Sequence, residues 1–160
     1  MKNKIVYTIL SIIGFITCNR VDNVYFRYEH IPNKGWDENH ELLFDSITIA
    51  DAGQKYDIDI ELRHNNDYPY QNIYFFVSML HDADTIAVDT IQYMLADETG
   101  KWFGRGSNAL YQQTLSYKKG YLFPDTGTYQ IIVYQAMRDS LLPGVEDVGI
   151  RIDKVSEKNY

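Results

Sequence analysis

From residue 41 onward the chain alternates apolar with polar side chains over short runs, and no stretch carries a 3.6-residue apolar period. Runs rich in Val, Ile, Tyr, Phe and Thr lie at 42–50, 56–63, 72–80, 84–95, 110–117, 128–136 and 146–154, each bounded by Gly, Pro, Asn or Asp, and read as strands. The cleanest alternation is Tyr56-Asp57-Ile58-Asp59-Ile60-Glu61-Leu62. It predicts a strand with apolar side chains on a core and three carboxylates on a solvated face. Parallel pairing would need crossover helices, so short strands in close succession predict one antiparallel β-sandwich, immunoglobulin-like or jelly-roll-like, over 41–160. A propeller or solenoid would show a long repeat, and the chain has none. In Pro124-Asp125-Thr126-Gly127-Thr128-Tyr129 the D-x-G-x-Y spacing predicts a tyrosine corner, in which the Tyr129 hydroxyl bonds back to nearby backbone. Ile131 stands where antibody domains carry a cysteine, so packing alone must join the sheets.

The N-terminus follows another pattern. Lys2 and Lys4 precede an apolar run from Ile5 to Ile16, too short to span a bilayer but suited to the h-region of a secretory signal. The run ends at Cys18, the only cysteine, and Phe15-Ile16-Thr17-Cys18 resembles a lipobox. Residues 1–17 are therefore expected to be a signal peptide, Cys18 the lipidated residue, and 18–40 a tether broken by Pro32, Gly35 and Asp37-Glu38-Asn39-His40. A lipid on Cys18 would hold the domain at a membrane without a transmembrane helix. A lone cysteine also excludes an intrachain disulfide.

Composition sharpens this picture. The 160 residues suit a single domain, and 14 tyrosines favour half-buried strands. With 15 basic against 22 acidic residues the net charge is −7; loss of 1–17 removes Lys2 and Lys4 and leaves 13 against 22, or −9. No basic stripe offsets this, which argues against a nucleic-acid partner.

Candidate chemistry is sparse. His30, His40, His64 and His81 are scattered, and no metalloprotease motif, nucleophile elbow or phosphate-cradling loop occurs, so neither catalytic residues nor a cofactor are expected. His81-Asp82-Ala83-Asp84 reads as a polar turn rather than a metal site. Asp57, Asp59 and Glu61 point one way from a strand and cannot wrap an ion, so no metal is assigned to them. Gly100-Lys101-Trp102-Phe103-Gly104-Arg105-Gly106 is more distinctive. Either Trp102 caps the core or the loop presents an anchor, and Trp102, Phe103 and Arg105 are the candidate partner-binding residues.

Five strings sharpen the reading further: Leu62 to Tyr70, the Gly100 to Gly106 loop, Phe123 to Tyr129, Gln135-Ala136-Met137-Arg138, and Gly144 to Arg151. In this order, and with Cys18 at the place of the lipidated residue, they resemble the GldH gliding-motility lipoprotein family of the Bacteroidetes. The resemblance implies a noncatalytic lipoprotein of the cell envelope, in the outer membrane, that contacts envelope proteins of the gliding and type IX secretion machinery. It supplies no catalytic residue. Two other classes stay open: a surface carbohydrate-binding module stacking sugars on Trp36, Trp102 and Phe103, and a small hydrolase with carboxylates or a Ser/His pair converging in a pocket.

Overall fold

The computed structural model describes residues 23–32, 34–107 and 109–156; the signal segment and Cys18 lie outside the described residues. Eleven strands follow in order: β1 Asn23–His30, β2 Trp36–Asp37, β3 Leu42–Ile49, β4 Lys55–Asn65, β5 Asn72–His81, β6 Asp84–Met94, β7 Arg105–Ser107, β8 Leu110–Leu122, β9 Gly127–Gln135, β10 Leu141–Leu142 and β11 Val145–Lys154. They form a five-stranded sheet, β1-β11-β4-β8-β7, and a four-stranded sheet, β3-β9-β5-β6, with β10-β2 as a small third pair. Every pairing is antiparallel. The protein is an all-β sandwich, and the seven sequence runs coincide with β3, β4, β5, β6, β8, β9 and β11 within a few residues, β8 running on to Leu122.

The core forms where the alternation says it should. Ile58, Ile60 and Leu62 of β4 and Val148, Ile150 and Ile152 of β11 face Phe44 and Ile47 of β3, Phe75 and Val77 of β5, and Ile131 and Val133 of β9, all buried. Ile131 thus fills the cross-sheet position with aliphatic packing.

The segment expected to be a tether contains a strand. β1 pairs with β11 along its length, and Ile31 and Trp36 beyond it are fully buried. β1 escapes a sequence reading because its alternation is inverted. Phe26 and Tyr28 lie opposite Arg151 and Gly149 on the outer face, while Arg27 and Glu29 occupy the core-side positions at the sheet edge. There Arg27 escapes across the rim to Asp45 of β3, 2.8 Å away.

Two local readings are realised in atomic detail. The His81–Asp84 turn is a two-residue hairpin whose central residues, Asp82 and Ala83, have φ of 47° and 71°, the left-handed pair that matches strand twist. The Tyr129 hydroxyl donates to the Asp125 carbonyl at 2.7 Å, and the ring packs edge-on against Phe123 at 4.7 Å. Tyr129→Phe keeps the ring and removes two partly buried hydrogen bonds, the one donated to the Asp125 carbonyl and a weaker one accepted from Asp125 N at 3.3 Å, so it should cost about 1–2 kcal/mol in urea denaturation. An unchanged midpoint would mean that the corner bonds contribute nothing.

The two ends of the sandwich differ. Where β1 begins and β11 ends, the links are short, at 50–54, 82–83 and 123–126. The opposite end gathers the long connections, at 31–41, 66–71, 95–104 and 136–144.

Candidate functional site

Four of the five distinctive strings meet at this loop end, and His64 lies at their centre. It is the last core-facing residue of β4, fully buried, ringed by Trp102 at 4.6 Å, Tyr111 at 5.4 Å and Tyr68 at 5.6 Å. His64 Nδ1 lies 3.2 Å from the Asn65 carbonyl and can only donate to it, while Nε2 has no hydrogen-bond partner among the described residues. Burial holds its pKa below the ordinary imidazole value, so the ring is neutral at pH 7.

The loops around it lock one another. Asp97 Oδ1 accepts from Thr99 N at 2.9 Å and Lys101 N at 3.0 Å, which closes the turn that delivers Trp102 to its bridge with Ala96. Gly104, at φ +85°, passes so close to the Gln112 carbonyl that a Cβ would strike it. Tyr70 Oη donates to Asp139 at 2.7 Å, and Gln135 Nε2 donates to the Asp139 carbonyl at 2.7 Å, so the 66–71 and 136–144 loops share one carboxylate residue.

The three candidate contact residues separate. Trp102 is partly buried and turned toward His64, which makes it a support for the loop end. Phe103 is 42% exposed. Arg105 is exposed and lines a cavity of about 700 Å³ with Phe26, Glu61, Gln112, Thr114 and Arg151. Trp36 is not a surface platform: its ring is fully buried 6.0 Å from Phe75, and Nε1 donates to the His40 carbonyl at 2.9 Å. The sugar-stacking reading therefore loses Trp36, and Trp102 faces inward.

The acidic face of β4 is not solvated either. Asp59 and Glu61 are buried because β4 is the central strand of its sheet and its neighbours reach over it. Arg151 of β11 bonds Asp59 Oδ2 at 3.0 Å and lies 3.3 Å from Glu61 Oε1, Lys119 of β8 bonds Asp59 Oδ1 at 3.0 Å, and Thr114 Oγ1 donates to Glu61 at 3.0 Å. Opposite Glu61 sits Gly149, with the Tyr28 ring over it and the Arg63 guanidinium 4.1 Å above that ring. The carboxylates are neutralised by the protein itself. Among the described residues no group of three His, Cys, Asp or Glu converges as metal ligands.

Sequence reasoning gave no weight to a second cavity, of about 490 Å³, formed by Tyr70, Asn72, Tyr74, Ala136, Met137 and Arg138. Its traces in the sequence are Tyr70, at the end of the Leu62 to Tyr70 string, and the Gln135 to Arg138 string, which reads as a strand ending.

The model of the GldH lipoprotein family matches residues 23–152, from the first residue of β1 into β11. The chain belongs to that family. Among curated relatives, "Gliding motility lipoprotein GldH homolog" of Christiangramia forsetii is 33% identical over 91% of this chain and 92% of its own length. "Gliding motility lipoprotein GldH" of Flavobacterium johnsoniae is 30% identical over 96% of this chain and 98% of its own. A solved structure of tomato aspermy virus aligns over 84% of this chain and 79% of its own at 12% identity with a TM-score of 0.36, too loose a likeness to carry an argument. In this GldH-family chain the matched region takes in the whole loop end, together with the Arg151 network.

Proposed function

We propose that this GldH-family chain is a noncatalytic, lipid-anchored protein of the cell envelope that acts in gliding motility, and in type IX secretion, by contacting other envelope proteins. Membership of a lipoprotein family whose curated relatives are named for gliding motility carries this reading. The anchor is lipid on Cys18, at the end of the apolar run, and the membrane is the outer one. Contacts are made at the loop end, where Phe103 and Arg105 stand out from a base fixed by Trp102, His64 and Tyr111. An aromatic and an arginine on a braced loop suit a protein interface, because little side-chain or loop entropy remains to be lost on binding.

Two variants test the reading. Cys18→Ser should lose fatty-acid labelling and release the chain from membranes; retention of both would refute the anchor. Phe103→Ala with Arg105→Ala leaves Trp102 in place and should shift the unfolding midpoint by less than about 0.5 kcal/mol equivalent. Spreading and the recovery of crosslinked envelope partners should both fall. If neither falls in a folded, lipidated double variant, the contact does not lie on this loop.

A further inference from the structure

The outer faces of the two sheets are opposites. That of the five-stranded sheet carries Asp57, Asp59, Glu61, Arg63 and Arg151, tied into ion pairs or stacked. That of the four-stranded sheet presents cross-strand rows Leu43–Ile132–Ser78–Val88 and Tyr134–Phe76–Thr90. Among the described residues, the outward positions of β5 from Tyr74 to Leu80, of β6 from Val88 to Met94, and of β9 from Gln130 to Tyr134 include no Asp, Glu, Lys or Arg. This face is open to solvent, with Phe76 49% and Val88 68% exposed. At its margins, Glu41 accepts from the Tyr134 hydroxyl at 2.7 Å and Asp45 pairs with Arg27 at 2.8 Å on the β3 rim, while Glu38 borders Phe76 and Tyr134 and Arg138 borders Tyr74 at the loop end.

We propose that this face docks a second copy of the chain, the two copies related by a two-fold axis running along the strands.

Three observations favour a second copy. A chain of 13 basic and 22 acidic residues after signal removal repels its own kind over most approaches, and the uncharged face is the approach where like charges do not meet. A two-fold axis between β9 and β5, parallel to them, brings the two faces together while both Asn23 ends point the same way. Both anchors then enter one bilayer, since Cys18 precedes Asn23 by five positions, at most about 18 Å of chain. The area is also consistent. Four strands about 4.8 Å apart, each contributing about eight residues at 3.3 Å, offer roughly 500 Å² per copy and 1,000 Å² for the pair. That is the low end for a specific interface, and confinement of both copies to one membrane raises their effective concentration. The orientation argument rests on the lipid anchor proposed above; the face and its lack of charge do not.

Crosslinking of the full chain in membranes tests the proposal. Wild type serves as the blank, and fatty-acid labelling of the same membranes reports the anchor separately. Ser78→Cys places a thiol beside the two-fold axis, and Ser116→Cys places one on the outer face of the other sheet. With a short bismaleimide, Ser78→Cys should give a band at twice the chain mass in several-fold higher yield than Ser116→Cys. Adding Phe76→Glu, which sets like charges close to the axis, or independently the more exposed Val88→Glu, which sets a carboxylate against Leu43 of the second copy, should reduce that band several-fold. Equal yields from Ser78→Cys and Ser116→Cys would overturn the proposal, as would an adduct of Ser78→Cys with a different protein. Absent labelling together with a persistent Ser78→Cys dimer would refute the anchor and leave the docking face standing.

Discussion

Arg151→Ala is expected to lower the stability of the domain by about 2–4 kcal/mol, the range for breaking a buried ion pair reduced for partial solvent screening. The guanidinium meets Asp59, Glu61 and Asp153 at once, at 3.0, 3.3 and 3.1 Å. Its own side chain is one third exposed, but Asp59 and Glu61 are buried. Without Arg151, Asp59 keeps Lys119, whereas among the described residues Glu61 keeps only the Thr114 hydroxyl. The larger loss therefore comes from stranding Glu61. Glu61→Gln should recover part of it in the Arg151→Ala background, with a coupling energy above about 1 kcal/mol in a double-mutant cycle of urea denaturation. A loss below about 0.5 kcal/mol would mean that solvent screens the network.

Trp36→Ala should cost about 3–5 kcal/mol, since it empties a fully buried site against Phe75 and leaves the His40 carbonyl without its indole donor. Trp36→Phe should cost less, because the ring volume is partly kept. An exposed sugar-stacking tryptophan would behave differently, its removal changing stability by no more than about 0.5 kcal/mol. Thermal unfolding of the two variants decides between a core plug and a platform.

The strands with a core on one side were legible because burial on one face imprints alternation on the sequence, as in β5 and β9. The Tyr129 corner was legible because all its atoms lie within five consecutive residues. β1 was hidden by its inverted pattern, and β2 and β10 span two residues each, too few for any period. Trp36 sits between Gly35 and a polar run, so nothing local marks it as core; its partner Phe75 is 39 positions away. The acidic row was visible but its environment was not, because Arg151 stands 92 positions from Asp59 and meets it only through the β11–β4 register. The Trp102 loop could be found by composition, while the separation of an inward Trp102 from an outward Phe103 depends on how the Asp97 turn closes.

The unequal ends of the sandwich set a height. β4 crosses from the short-turn end to the loop end in eleven residues, which at about 3.3 Å per residue is roughly 36 Å. That exceeds the roughly 30 Å hydrocarbon thickness of a bilayer. With the Cys18 anchor proposed above on the Asn23 side, Phe103 and Arg105 sit toward the opposite end of the sandwich, Arg105 level with Arg63 near the end of β4. A partner of these residues would then be met at the end of the domain away from the anchor, with most of the length of the strands between the contact and the lipid.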